Sequence, residues 1–141
     1  MRLSLQKPQT TNYKPQTTNF PMLSIHLHNI ILFAHHGIYE EEKILGTSFE
    51  LNITVRYTPK KIPITHMAET IDYVSIFELV KNRMDIPSPL LETVITDISG
   101  HILAQFVQAE EVMISIKKLH PPIIGIVGSV GVSFELKRIE L

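Results

Sequence analysis

Alternation of apolar and polar residues over residues 49–57 constrains the fold of this chain more than any other feature of its sequence. The apolar members of the alternation are Phe49, Leu51, Ile53, Val55 and Tyr57. Because successive side chains of a strand point to opposite faces, this period of two predicts a strand with one face in a hydrophobic core and the other towards water. Such a strand needs neighbouring strands for its backbone hydrogen bonds and an apolar layer over its buried face.

Three other segments show the same period of two, at residues 23–27, 112–116 and 130–136. Shortly after the first of these, residues 30–34 are apolar at every position. A continuous apolar run beside a strand indicates either a β-bulge or a segment that is covered on both faces. The sequence therefore predicts four strands, and it leaves open which irregularity the first strand contains.

Two segments between the second and third strands have the period of an amphipathic helix. The apolar stripe of the first is Ile76, Phe77, Val80 and Met84. That of the second is Leu91, Val94, Ile95, Ile98, Ile102 and Phe106. Asp72 is suited to cap the first helix, and Ser88 followed by Pro89 is typical of an N-cap and a first helical residue.

The predicted order of strand, strand, helix, helix, strand, strand favours an α+β fold. We expect a four-stranded antiparallel sheet (β-β-α-α-β-β) with both helices packed on its apolar face. The opposite face carries polar side chains, such as His26, Asn52 and Lys117, and tolerates water. Such a sheet leaves two open edges, which commonly pair with other subunits, so we expect a homo-oligomer.

The N-terminal segment differs from the rest of the chain. Residues 7–13 and 14–20 form a tandem repeat of Lys-Pro-Gln-Thr-Thr-Asn followed by an aromatic residue. The repeat has too little apolar content for a core, and two copies are too few for a solenoid. We therefore expect residues 1–21 to be a flexible polar extension and residues 22–141 to form a single domain.

Composition excludes several classes of function. The chain has 141 residues, a formal net charge of -1 and no cysteine. Without cysteine there is no disulfide, no thiolate nucleophile and no Cys-ligated zinc. Without a run of Lys and Arg, nucleic acid and anionic membranes are poor partners. No apolar run is long enough to cross a bilayer, so we predict a cytoplasmic protein.

Lys118 is the first candidate for chemistry. Strand alternation puts it on the same side as Val112, Ile114 and Ile116, so it points towards the apolar layer. A lysine held there can serve as a base. The ordinary alternative is a strand-end lysine whose stem packs while its ammonium reaches water.

Carboxylates and one tyrosine are further candidates. Glu92 lies in the first turn of the second helix, where a carboxylate either complements the helix dipole or accepts paired N–H bonds from a heterocycle. The acidic run of residues 40–42 reads as a solvated loop surface, although one member could pair with a catalytic lysine. Tyr73 starts the first helix, where a core role is the ordinary expectation and proton donation the functional one.

Four histidines raise the question of a metal. His26 and His28 share a strand face, and His35 and His36 follow near its end. A zinc site needs three or four converging ligands, and alternating histidines on a polar face are more often solvent-facing. We therefore predict no metal.

Taken in order, many residues of the chain resemble the dihydroneopterin aldolase family over essentially all of residues 22–138. The matching residues are His35, His36, Gly37, Glu42, Leu45, Gly46, Glu69, Thr70, Ile71, Asp72, Tyr73, Leu91, Glu92, Lys118, Pro121, Pro122, Ile123, Gly125, Ser129, Val130, Gly131 and Val132. Each piece alone is a weak signal, whereas their order and spacing together are fairly specific. The resemblance implies the tunnelling fold, in which the sheets of several subunits join into a barrel as a tetrameric ring or octamer.

The resemblance also implies roles for individual residues. Glu92, with its neighbour Leu91, would bind the pterin substrate. Lys118 would be the catalytic lysine, Glu42 its carboxylate partner, and Tyr73 a tyrosine that stacks on the substrate across a subunit interface. The reaction would be a retro-aldol cleavage without cofactor, metal or Schiff base.

Departures from the family pattern keep other activities open. The pair Leu119 and His120 replaces the usual Pro-Asn or similar pair, Ile124 replaces a proline, and His35 replaces a tyrosine. These positions bear on substrate preference and on the balance between cleavage and epimerisation. An epimerase of dihydroneopterin or its triphosphate, a zinc-dependent pterin synthase and a non-catalytic pterin-binding oligomer are the alternatives.

Overall fold

A computed structural model describes residues 20–138 of the chain. The strands are β1 (Leu23–Ala34), β2 (Thr47–Tyr57), β3 (Glu111–Lys118) and β4 (Val130–Lys137). The helices are α1 (Glu40–Leu45), α2 (Tyr73–Met84) and α3 (Leu91–Gln105), with a short 3₁₀ turn at Met67–Glu69. Across this described part, no helix combines the length and apolar character that spanning a bilayer requires. The predicted extension of residues 1–21 lies almost entirely outside the described residues, so this division of the chain stays a prediction.

The four strands form one antiparallel sheet in the order β1-β2-β3-β4, as the alternation predicts. The register aligns the apolar positions across the sheet, since Ile53 of β2 lies opposite Leu27 of β1 and Ile114 of β3. Helices α2 and α3 pack on this apolar face through buried residues that include Ile76 and Ile98. Full burial of such a side chain stabilises the fold by roughly 1.5–3 kcal/mol. The predicted α+β architecture is confirmed.

A β-bulge resolves the irregularity of the first strand. The register of β1 against β2 shifts between Leu27 and Ile30, and Asn29 has a positive φ of 53°. The Asn29 N–H donates to the side chain of Asn52 instead of to a backbone carbonyl. Past the bulge, Ile31 and Phe33 point to the open face, where they are 52% and 59% exposed. Within the chain the apolar run is therefore not covered on both faces.

Two local predictions were wrong. The acidic residues Glu40 to Glu42 form the first turn of α1 instead of a loop, and Glu42 is buried, whereas Glu40 and Glu41 are exposed as a solvated surface would be. Helix α3 begins at Leu91, with Leu90 as its N-cap, and not at Pro89 after Ser88. The carbonyl oxygen and the hydroxyl of Ser88 are the two groups that an N-cap turns to its helix, and here they accept from the Gly37 N–H and from Arg83 instead. The Asp72 cap of α2 is confirmed, because its carboxylate accepts from the N–H of Val74 at 2.9 Å.

Candidate active site

A cavity of about 390 Å³ opens between α1, the start of α3 and the connection from β3 to β4. Its charged residues are Glu42, Glu92 and Lys118. Most of the remaining lining is apolar and includes Ile38, Leu90, Leu91, Pro122, Ile123 and Val132. A cleft with mainly apolar walls and a few convergent polar groups is the usual form of a small-molecule site.

Lys118 is the last residue of β3, and the pleat of the strand turns its side chain to the face that carries Ile114 and Ile116. Only 14% of the side chain is exposed, and Nζ donates a hydrogen bond to Oε2 of Glu42 at 2.5 Å. The ammonium is therefore held by a carboxylate at the cavity and does not extend into open solvent. Removing one partner from a buried pair of this kind typically costs about 3–5 kcal/mol of stability.

Glu42 is placed by the turn that precedes α1. Its Oε1 accepts the N–H of Tyr39 at 3.3 Å, and its side chain is 7% exposed. Gly37 lies against the carboxylate so closely that a Cβ there would come within 2.2 Å of Oε1, and its φ of 145° also disfavours other residues. Composition alone could not choose among the three acidic residues, whereas burial singles out Glu42, because Glu40 and Glu41 are exposed.

Glu92 lines the same cavity from the first turn of α3 and is exposed. Its carboxylate makes no ion pair or hydrogen bond with any of residues 20–138. Leu91 is 8% exposed and joins the cavity wall to the core. The N-cap Leu90 supplies no side-chain acceptor, so the first-turn N–H groups of α3 have no side-chain cap.

Tyr73 is not part of this arrangement within one chain. It is the first residue of α2, is 63% exposed, and is absent from the residues that line the cavity. The structure of a single chain thus brings together Lys118, Glu42, Glu92 and Leu91 and leaves Tyr73 outside. The expectation that Tyr73 is a core residue is wrong, because its side chain faces solvent.

Sequence reasoning missed the buried contact of His36 with Ser88 beside the cavity. His36 is 0% exposed, and its Nδ1 accepts the N–H of Ser88 at 3.1 Å. Burial lowers the pKa of His36 to about 4, and the positive charges of Arg83 and Lys118 act in the same direction. The place of His36 in the family motif was the one sequence signal that could have indicated such a contact.

The other histidines have separate surroundings. Nδ1 of His26 lies 2.8 Å from the hydroxyl of Thr54, and the His26 ring stacks on His28. Nδ1 of His35 lies 3.0 Å from the carbonyl oxygen of Lys43. Among residues 20–138, no three His, Asp or Glu side chains converge in a group that could hold a metal ion.

The residues that depart from the family pattern do not line the cavity. Leu119 donates its N–H to the carbonyl of Ser48, His120 is exposed, and Ile124 is fully exposed. His35 packs its ring edge-on against Phe33. Any influence of these four positions on substrate preference would therefore be indirect within one chain.

The sequence model of the dihydroneopterin aldolase family matches residues 25–135 of the chain. Among curated proteins, the dihydroneopterin aldolase of Bacillus subtilis is 26% identical over 119 residues, which cover 83% of this chain and 99% of that protein. The probable dihydroneopterin aldolase 3 of Arabidopsis thaliana is 29% identical over 101 residues, which cover 70% of this chain and 63% of that protein.

Solved structures share the fold. The dihydroneopterin aldolase of E. coli, in complex with neopterin, superimposes with a TM-score of 0.71 at 21% identity, covering 80% of this chain and 97% of that one. The dihydroneopterin aldolase of a Burkholderia species, bound to guanine, gives a TM-score of 0.65 at 17% identity, covering 82% and 91%. At these identities the likeness shows the fold alone.

Proposed function

We propose that this chain, which belongs to the dihydroneopterin aldolase family, cleaves the side chain of 7,8-dihydroneopterin to give 6-hydroxymethyl-7,8-dihydropterin and glycolaldehyde. The observation that carries the proposal is one cavity that holds both a buried Lys118–Glu42 pair and the free carboxylate of Glu92. The first can transfer protons and the second can recognise a heterocycle. The cavity is large enough for a ligand of pterin size at about 390 Å³.

Glu92 recognises the pterin ring in this proposal. A carboxylate can accept two parallel N–H bonds, and a pterin offers an amino group beside a ring N–H. Leu91 and the apolar wall pack against the flat ring. A ligand that lacks the paired donors leaves the carboxylate unmatched, which gives selectivity for pterins.

Lys118 moves the protons of the reaction. The 2′-hydroxyl loses its proton, the bond between C1′ and C2′ breaks, and C2′ becomes the aldehyde carbon of glycolaldehyde. The bonding electron pair passes from C1′ into the C=N bond of the protonated pterin ring, and C1′ is then protonated to give the hydroxymethyl product. Lys118 transfers these protons through water, and Glu42 holds its amino group in place. Since the ring itself accepts the electrons, the step needs neither a metal nor a Schiff base.

Tyr73 completes the site from a neighbouring protomer in this proposal. Its exposed ring and the 51% exposed Val74 beside it form a surface at the start of α2 that a second chain can cover. The open edges of β1 and β4 are suited to join sheets into a tetrameric ring or an octamer. A cytoplasmic location stays a prediction from the sequence.

The alternative activities lack a supporting observation. A triphosphate substrate needs several cations beside the pocket, and the described cavity lining contains only Lys118, which Glu42 already binds. No feature of the cavity favours binding without turnover, or an epimerase over an aldolase.

One assay of product formation tests the proposal. Purified protein is incubated with 7,8-dihydroneopterin in a first mixture and with its triphosphate in a second. In a third mixture, 7,8-dihydroneopterin is added to protein from which metal ions have been removed by exhaustive chelation. We expect glycolaldehyde from the first and third mixtures and little product from the second. Pterin binding without any glycolaldehyde would contradict the aldolase assignment, and loss of activity on chelation would point to a metal enzyme. Borohydride is added to a further sample of the first mixture, and trapping of a lysine adduct there would show that the reaction uses a Schiff base.

A further inference from the structure

Two hydrogen bonds fasten the turn after β1 to the segment before α3. The backbone N–H of Ser88 donates to Nδ1 of His36 at 3.1 Å, and the N–H of Gly37 donates to the carbonyl of Ser88 at 3.0 Å. We call this pair of bonds the latch. It joins two parts of the chain that are far apart in sequence, and Ser88 itself is buried.

The latch is held on its far side by Arg83. The guanidinium donates to the hydroxyl of Ser88 at 2.8 Å and to the carbonyl of Ile86 at 2.9 Å. It also pairs with Asp97 of α3, and its side chain is only 9% exposed. The segment before α3 is therefore fixed both to the helix pair and to the turn after β1.

His36 acts in the latch as a neutral acceptor. Because Nδ1 receives the Ser88 N–H, the ring proton must be on Nε2. The ring packs against Phe49, the β2 residue that pairs with Lys118 across the sheet. Burial and nearby positive charge keep the ring neutral at physiological pH.

The latch lies between the two ends of the cavity. On one side, Gly37 contacts the Glu42 carboxylate, which binds Lys118. On the other side, Ser88 is followed within one short segment by Leu90 and Glu92, both of which line the cavity. The latch therefore joins the backbone beside the Lys118–Glu42 pair to the backbone that leads into Glu92.

We infer that the latch sets the distance between the Lys118–Glu42 pair and Glu92, and that His36 is a positioning residue for the cleavage reaction. This inference rests on the proposed function. Its physical basis is that catalysis needs the reacting atoms to be held in register, and that a misplacement of about 1 Å can cost on the order of 10²-fold in rate. Binding through Glu92 alone does not need this register.

The main test compares His36→Leu with His36→Asn, two side chains with the same branching and the same number of heavy atoms. The Asn oxygen can occupy the place of Nδ1 and accept from Ser88, whereas Leu cannot. We expect His36→Leu to lose on the order of 10–100-fold in kcat, with the Kd for the pterin almost unchanged. His36→Asn should stay within a few-fold of the parent protein. Because both variants lose the ring, their difference reports the hydrogen bond and not the packing.

A direct readout of the latch accompanies the kinetics. Hydrogen exchange of the Ser88 amide should be protected in the parent protein and in His36→Asn, and fast in His36→Leu. Arg83→Gln is a second way to loosen Ser88 without changing residue 36 or the cavity, and it decides the question if His36→Leu does not fold. We expect the variants with faster hydrogen exchange of the Ser88 amide to have lower kcat values.

The outcomes separate cleanly. Fast Ser88 exchange with unchanged kcat, or a loss of kcat with Ser88 still protected, would overturn the latch. A rise in Kd equal to the loss of kcat/KM, with kcat unchanged, would overturn it as well, since it would show a binding role. If the parent protein yields no glycolaldehyde, the proposed function fails instead, and the parent assay distinguishes that result from failure of the latch.

Discussion

The two carboxylates that line the cavity have opposite surroundings. The Glu42 side chain is 7% exposed and binds Lys118, while Glu92 is exposed and has no partner among residues 20–138. The Lys118 end of the cavity is therefore organised in the absence of a ligand, and in the proposed function the Glu92 end acquires its hydrogen bonds only with the ligand. Preorganised charge is effective in a chemical step, whereas a carboxylate that gains its partners on binding is effective in recognition. The same residue type is thus suited to the two different roles that we propose, because the fold buries one carboxylate and exposes the other.

Removing Lys118, at the buried end of the cavity, should have the largest effect on turnover. We expect Lys118→Ala to reduce turnover by about 10²–10⁴-fold, the range typical of a lost proton-transfer group, with pterin binding largely retained. Steady-state kinetics and a fluorescence titration with the pterin measure the two effects.

Lys117→Ala is the matched control for that variant. Lys117 is the preceding residue of β3, points to the opposite face and pairs with Glu50 at 3.1 Å. Its replacement should leave turnover unchanged. Equal losses in the two variants would show a general effect on the strand and not a catalytic lysine.

Replacing Glu92, at the exposed end of the cavity, should change the Kd for the pterin more than the rate of the chemical step. Glu92→Gln replaces one acceptor oxygen with a donor, and hydrogen bonds to charged groups contribute about 1.5–3 kcal/mol, so the Kd for the pterin should rise by about 10–100-fold. The free energy of unfolding should hardly change because the side chain is exposed. Thr93→Ala, on the exposed side of the same turn, is the control. Unaltered pterin affinity in Glu92→Gln would remove the anchor from the proposal.

Displacing Glu42 without changing it sharpens the comparison. Gly37→Ala places a Cβ within 2.2 Å of the carboxylate in a backbone conformation with φ of 145°, so we expect a loss of about 1–3 kcal/mol in stability and a clear fall in turnover. Gly100→Ala in α3 is the control, because a Cβ there meets nothing within 4 Å. That change should raise stability by about 0.5–1 kcal/mol. Thermal unfolding of both variants gives the answer, and a stable, fully active Gly37→Ala protein would contradict the packing described.

The last prediction concerns the link between the two ends and depends on pH. His36 has a pKa lowered from 6.5 to about 4, so below pH 6.5 the unfolded chain takes up a proton that the folded protein does not. Stability should therefore fall as pH falls from about 6.5 to about 4, by at most about 1.4 kcal/mol per pH unit from this residue. Denaturant unfolding at several pH values should show a flatter dependence in His36→Leu. An identical slope in both proteins would show that His36 is not the group responsible.

Local patterns accounted for most of the fold. The alternation in β2 fixed which residues enter the core, and the stripes of α2 and α3 fixed the faces that cover them. The misassigned start of α3 shows the limit of such patterns. Ser88 and Pro89 have the local features of a helix start, but the carbonyl oxygen of Ser88 accepts the N–H of the distant Gly37 instead of the first hydrogen bond of the helix.

The candidate site was only partly readable. Alternation turned Lys118 towards the apolar layer, but its pairing with Glu42 joins residues that are 76 positions apart. The resemblance to a family supplied the choice of Glu42, because composition could not choose among the three acidic residues 40–42, and it supplied the proposed roles of Glu92 and of Tyr73, which lies outside the cavity of one chain. The latch could not be predicted because a hydrogen bond between a buried histidine and a distant backbone N–H produces no periodic pattern in the sequence.

By itself, the sequence determined the four strands and the two long helices, their order and their buried faces, since these follow from side-chain period and local backbone preference, whereas the short α1 was not predicted. Only the tertiary structure decided which carboxylate Lys118 binds, where α3 begins and how the two ends of the cavity are joined. Those features depend on groups brought within hydrogen-bond distance by packing. Such long-range contacts stabilise the protein only once the sheet and the helices have formed.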